Sequence, residues 1–221
     1  MEISKNQRLK DIVYRHVRDS IVSFKLEPGS RLLEEEVAKA LGVSRTPVRE
    51  AFGTLALEGF IEILPRRGAI IKDVTLKDLQ DTLIVREELE ILAIKLATPS
   101  INDEVLEKLK EAKEKFEEAV EAFDVLKMIE EDTKFHDIIF NCTKNEKLIN
   151  VLNYLKEQLY RYRAIYIREK ASLIEIVEDH NEIYKSLAKK DSERAKKAIS
   201  KHIKNQEKSL TIQFIAKGGK T

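Results

Sequence analysis

Leu26-Glu-Pro-Gly-Ser-Arg-Leu-Leu-Glu-Glu-Glu-Val-Ala-Lys-Ala-Leu-Gly-Val-Ser-Arg-Thr-Pro-Val-Arg-Glu-Ala51 decides how the first third of this chain folds. Leu33 to Leu41 has the length and apolar spacing of a short helix, and Gly42 stands where a left-handed residue would close it. Ser44 is a cap residue for a further helix whose first turn tolerates Pro47. That helix is expected to run to about Glu58, with Gly59 ending it. Upstream, Leu9, Ile12, Val13, His16, Val17, Ile21 and Phe24 recur at helical spacing and predict an amphipathic first helix, broken by Leu26-Glu-Pro-Gly-Ser30. Downstream, Phe60 to Leu64 and Ala69 to Lys72 read as two short strands, with Pro65-Arg66-Arg67-Gly68 as the turn between them.

Helix, tight turn, helix and hairpin in this order predict a winged helix-turn-helix over residues 1–73, its third helix placed for the major groove of DNA. Arg45 and Arg49 are four residues apart and share a face of that helix. Arginine reads guanine through paired bonds to O6 and N7. Ser44, Thr46 and the free N–H groups of the helix start are suited to a phosphate, and Arg66, Arg67 and Gly68 form the wing tip. The Ser44-Arg-Thr-Pro-Val-Arg-Glu-Ala51 core, with Leu57-Glu-Gly-Phe60 and Pro65-Arg-Arg-Gly68, resembles the GntR family of bacterial regulators. That resemblance implies a homodimer on a palindromic operator of double-stranded DNA, with repression as its action. Two features depart from the pattern. Glu34-Glu35-Glu36 is acidic where some relatives carry a DNA-contacting arginine, so this short helix is expected to add no base contact. Gly53 lies inside the recognition helix, where relatives have a longer polar or basic residue. It should weaken that helix by ~1 kcal/mol relative to Ala.

From Thr75 the texture changes, and only Pro99 and Gly218-Gly219 interrupt helical patterning. Six helices are expected, at about 76–97, 102–122, 124–141, 146–168, 172–189 and 191–213. They make residues 74–215 an all-α antiparallel bundle for effector binding and dimerisation, with 216–221 a frayed tail. The chain as a whole is therefore mainly α. In helix 124–141 the apolar stripe of Met128, Phe135 and Ile139 also carries Asp132 and His136 at i and i+4. His180 falls within the stripe Leu173, Ile176, Val177, Tyr184 and Leu187, and His202 within Ala195, Ala198, Ile199 and Ile203. Burying such groups unpaired is costly, and a shared cation satisfies all four. An Asp with three His suits Zn²⁺ first, then Ni²⁺, Mn²⁺ or Fe²⁺, one ion per subunit, with coordination positions left open. The all-helical remainder resembles the FCD subgroup of the same family, and these spacings match that subgroup's metal-binding pattern.

Arg86, in Arg-Glu-Glu-Leu-Glu90, lies in a context where the resemblance implies contact with a small organic acid effector; an ion pair with Glu90 at i+4 is the alternative. Tyr160, Arg161, Tyr162, Arg163 and Tyr166 suit either a pocket lining or a dimer face, Cys142 is read as inert, and His16 as structural.

Composition bounds the rest. The chain is 221 residues long, 43% hydrophobic and 36% charged, with 40 Lys+Arg against 39 Asp+Glu. Residues 1–73 hold 13 basic and 11 acidic residues, so the DNA reading rests on placed arginines and not on net charge. A single cysteine excludes a disulfide framework and a Cys-rich zinc module. With no leader and no apolar run of spanning length, a cytoplasmic protein without a membrane partner is expected. A metalloenzyme needs a general base beside the metal, and neither His-x-Glu nor His-Glu-x-x-His occurs, so no enzyme is expected. A regulator with the metal itself as signal is the remaining alternative.

Overall fold

In a computed structural model, residues 2–22, 25–65, 67–73, 75–166 and 170–216 are described. They form two compact units, Met1–Val74 and Thr75–Thr221. The first unit contains α1 (Glu2–Val22), β1 (Arg31–Leu32), α2 (Glu34–Leu41), α3 (Arg45–Leu57), β2 (Ile61–Leu64) and β3 (Gly68–Ile71). Val13, Val17 and Ile21 of α1 pack with Val48, Ala51, Phe52 and Leu55 of α3, all at 3% exposure or less. His16 and Ile12 face solvent, so the apolar face of α1 is narrower than its periodicity suggests.

Gly42 adopts φ 65° and closes α2, with the Val43 N–H donating to Ala38 O at 3.0 Å. Ser44 occupies the expected N-cap position in extended conformation, yet its side chain makes no capping hydrogen bond. Pro47 lies at the third helical position and has no N–H to offer, which removes a donor a cap would serve. The sheet has three strands in the order β1-β3-β2, all antiparallel, where the sequence suggested a two-stranded hairpin. The extra strand, Arg31–Leu32, follows directly on the segment read as a helix breaker. A turn at Gly29, φ 80°, brings the chain back so that Gly29 N donates to Ile71 O at 2.8 Å and Leu32 pairs with Ala69. Two residues are too few to show strand alternation.

The second unit is a helical bundle: α4 (Leu76–Ala97), one 3₁₀ turn (Thr98–Ser100), α5 (Asp103–Glu121), α6 (Val125–Cys142), α7 (Glu146–Tyr166), α8 (Lys170–Ala188) and α9 (Ser192–Ala216). Side-chain caps fix five starts: Thr75 accepts from Asp78 N, Asn102 from Val105 N, Asp124 from Lys127 N, Asn145 from Leu148 N and Asp191 from Arg194 N. The turns before α6, α7 and α9 pass through left-handed Phe123, Lys144 and Lys190. Helix α9 lies against both α8 and α4, and α6 against α5 and α4. The middle of α4, α6, α8 and α9 therefore shares one interior, and its polar content makes the site below. Among the described residues no helix is long and apolar enough to cross a membrane.

Candidate DNA-reading surface and metal centre

Burial of Val48, Ala51, Phe52 and Leu55 fixes which face of α3 turns outward. Ser44, Arg45, Thr46 and Arg49 lie on that exposed face. Neither arginine is bare. Arg49 donates from Nε to Glu34 Oε1 at 3.1 Å and from Nη2 to Glu34 Oε2 at 2.8 Å. Arg45 donates through Nη2 to Glu35 Oε2. The Arg49 hydrogen bond holds the Glu34 carboxyl below its ordinary value. Arg67 is exposed at the wing tip and Gly68 opens β3, while Arg66 lies outside the described residues. A side chain at Gly68 would put its Cβ 2.3 Å from Leu32 O. At Gly53 nothing stands within 4 Å of such a Cβ.

In the bundle, α6 supplies Asp132 and His136 from adjacent turns, α8 supplies His180 and α9 supplies His202. All four are buried, and one ligand atom from each lies within 4.8 Å of the others. Phe135 stacks on the His180 ring at 4.5 Å between centroids, and Phe116 meets it edge-on at 4.9 Å. His180 Nε2 is 3.2 Å from Asp132 Oδ1, and His136 Nε2 is 3.2 Å from His202 Nε2.

The hydrogen bonds fix the tautomers. Glu90 Oε2, at 2.7 Å, accepts from His136 Nδ1–H, which leaves a lone pair on His136 Nε2. Arg86 Nη1 donates to Gln206 Oε1 at 2.8 Å, so the Gln206 amide turns its N–H to His202 Nε2 at 2.9 Å. His202 Nε2 is then an acceptor as well. The His136 Nε2 lone pair and an Asp132 carboxylate oxygen thus point into one buried space beside His202 Nε2, which the Gln206 N–H meets, and a divalent cation suits this donor set. The four residues fit a metal once Gln206 yields His202 Nε2.

A second ring of groups supports this one. Burial pushes the Glu90 carboxyl up, but Arg86 and His136 outweigh it and hold it at about 2. Burial and the neighbouring His180 and His136 keep His202 well below the ordinary histidine value. Asp179 stands near, its Oδ2 3.9 Å from His202 Nδ1 and beyond hydrogen-bond distance, with Lys201 on Oδ1 at 3.0 Å and Asn205 on Oδ2 at 2.7 Å. An outer partner in hydrogen-bond contact, as Glu90 is to His136, is suited to orient a metal ligand. Of the two roles weighed for Arg86, the pair with Glu90 is the one formed here, with Arg86 5% exposed.

Glu90 as a histidine partner, Asp179 and Gln206 were all missed in the sequence. Gln206 sits four residues after His202, a spacing that could have drawn attention to it. Asp179 precedes His180 in sequence but lies nearer His202 Nδ1 in space, which no spacing rule reveals. Beside the centre is a small cavity of about 30 Å³, lined by Phe116, Met128, Leu173, Ile176 and Leu210 with polar Asp132, Gln206 and Ser209. Tyr162 is buried and donates to Thr75 O at 3.0 Å, tying α7 to the start of α4. The side chains of Arg161, Arg163 and Tyr166 lie outside the described residues. Burial pushes the Cys142 thiol up, consistent with an inert residue.

A winged reading head followed by a helical bundle with a buried ligand centre defines a transcription regulator of the helix-turn-helix class. Residues 9–71 match the gntR family of bacterial regulatory proteins and residues 81–205 match the FCD domain, so the chain belongs to the GntR family and to its FCD branch. The HTH-type transcriptional repressor RspR of Escherichia coli is 25% identical over 209 residues, covering 95% of this chain and 92% of its own length. The Bacillus subtilis HTH-type transcriptional regulator YdhC is 28% identical over 190 residues, 86% of this chain and 85% of its own. The solved structure of E. coli McbR/YncC superposes with a TM-score of 0.81 at 24% identity, over 93% of this chain and 98% of that one. These relatives are regulators and not enzymes, and so is this chain.

Proposed function

We propose that this regulator is a homodimeric repressor that binds a palindromic operator and answers to a small carboxylate held at a divalent metal in its helical unit. The observation that carries the reading is the convergence of Asp132, His136, His180 and His202, whose ligand atoms lie together in a buried space. A bound Zn²⁺, or Ni²⁺, Mn²⁺ or Fe²⁺, would supply a Lewis-acid position for a carboxylate oxygen. Arg86 would meet the acid's other end only by exchanging its hydrogen bond to Gln206, and the mainly apolar cavity favours a short monocarboxylate over a polycarboxylate. Arg45 and Arg49 would read guanine, with Ser44, Thr46, Arg66, Arg67 and Gly68 meeting the backbone. Exposed Ile84, Leu92 and Leu96, eight and four residues apart on α4, with Val85 beside Ile84 and Val151 and Tyr154 on the packed α7, support a dimer face.

The test combines elemental analysis of the reconstituted protein with operator binding. Stoichiometric metal and release of DNA by acetate or propionate only in its presence are expected. Absence of metal after reconstitution would end the reading. A second reading, metal as the signal, draws on Gln206. Its N–H meets His202 Nε2 and its Oε1 meets Arg86, so an ion taking that nitrogen would also shift the Gln206–Arg86 hydrogen bond. Graded operator release against free metal alone, with no carboxylate effect, would favour it.

A further inference from the structure

The acidic run at the start of α2 has a use in the geometry. An arginine guanidinium offers two paired edges, Nε with Nη2 along its side and Nη1 with Nη2 at its end. Glu34 takes the side edge of Arg49 with both carboxylate oxygens, at 3.1 and 2.8 Å. The end edge is left over, and it carries the two parallel N–H groups that guanine O6 and N7 require. Arg49 is mostly exposed, whereas Glu34 is only 27% exposed and opens a helix that Gly42 closes at its other end. The carboxylate is therefore the fixed partner and the guanidinium the oriented one. Glu35 repeats the arrangement on Arg45 with a single contact.

We propose that Glu34 is a specificity-determining residue of the DNA-reading surface: it positions Arg49 for a base edge and denies it to bare phosphate. This rests on the assignment of α3 as the reading helix. Two effects act together. Orientation favours the end-on pair with guanine and removes the need to order a long side chain on binding. The fixed negative charge offsets the arginine where the only partner is a phosphate, because carboxylate and phosphate repel, while a neutral guanine edge imposes no such penalty. An acidic residue beside a base-reading arginine thus lowers affinity for all DNA and raises the ratio of right to wrong sequence.

The full-length protein is used to select an operator from a randomised duplex pool. Wild type, Glu34→Ala, Glu34→Gln and Arg49→Ala are then titrated with that operator and with unrelated duplex over a range of salt. Glu34→Ala should bind unrelated duplex several-fold more tightly and steepen its log–log salt slope by about one unit, as one more phosphate is contacted. Its operator preference should fall by about tenfold, with the loss at a guanine. Glu34→Gln keeps one acceptor and no charge; it should move the unrelated-duplex affinity the same way and retain more of the guanine preference. Unchanged operator preference and salt slope in both glutamate variants, with Arg49→Ala impaired, would overturn the positioning role and leave the reading helix standing. An Arg49→Ala protein with wild-type affinity and base preference would overturn the reading helix itself, and the proposal with it. Matching thermal melts of the variants separate a binding effect from misfolding.

Discussion

Both units of this protein face an arginine with a glutamate, and burial gives the two pairs different work. Arg49 and Glu34 lie at the surface with side chains 71% and 27% exposed, whereas Arg86 and Glu90 lie at 7% and 1%. An exposed pair contributes little to stability, because water and salt screen it and both chains lose freedom. It is therefore free to be exchanged for a partner such as DNA. A buried pair is costly to break, because each ion left alone has neither water nor its mate. Glu90 is further committed by His136, so the pair is locked to the ligand centre. The reading head keeps its charges available and the bundle keeps its charges fixed. The same two residue types are thus exchangeable in one place and fixed in the other.

This contrast is easiest to break at Glu90. Glu90→Ala strands Arg86 in the interior and frees the His136 ring, and should destabilise the helical unit by ~3–5 kcal/mol. A calorimetric scan should show that loss in the helical unit; an unchanged transition would mean the buried pair is no more than a surface pair. Metal withdrawal comes next. A ligand that binds only the folded state adds ~4 kcal/mol at a thousand times its Kd, so chelation should lower the melting temperature and Zn²⁺ or Ni²⁺ restore it. His180→Ala should abolish most of that response. If melting ignores chelator and metal alike, the clustered ligand atoms have another explanation.

On the DNA side the effects shrink. Arg45→Ala should cost ~1–3 kcal/mol per half-site and relax the guanine preference, read by titration against the selected operator. Gly53→Ala should raise the melting temperature of the first unit by the equivalent of ~1 kcal/mol or less, since the position is helical, open and without a positive φ. The smallest expected effect sharpens the surface end of the comparison. Glu34 has its carboxyl lowered in the folded state by Arg49, so the native protein binds fewer protons there than the unfolded chain. Stability from this group is then present above the unfolded value and is lost as pH falls through the folded one. Glu34→Gln should accordingly trail wild type slightly at neutral pH and draw level in acid. A gap of several degrees at pH 7 would show that the pair is structural after all.

The helix boundaries were readable to within a few residues because caps and left-handed turns have local chemistry. Gly42 and Thr75 illustrate this: each acts on its own neighbours. The ligand cluster was readable for another reason. A histidine or aspartate placed on an apolar stripe is conspicuous, and His136, His180 and His202 each broke such a stripe. What stayed hidden depended on distant pairing. Strand β1 exists only because β3 is there to receive it. Asp179 comes near His202 only because α8 and α9 pack together. The acidic α2 was read as a lost base contact, because sequence shows the absence of an arginine but not that Glu34 and Glu35 touch two others.

The shortest strand in the molecule sets the shape of the reading head. Through Arg31 and Leu32, β1 ties the entry of α2 to β3, and thus to the wing. Gly68 allows the approach, since any side chain there would strike the Leu32 carbonyl. The wing is therefore tied to the helix pair as one piece, and a duplex bound as proposed would meet a tool with a fixed span between helix and wing. A substitution at Gly68 would turn that rigid caliper into a hinge, and the span between recognition helix and wing would cease to measure the width of a groove.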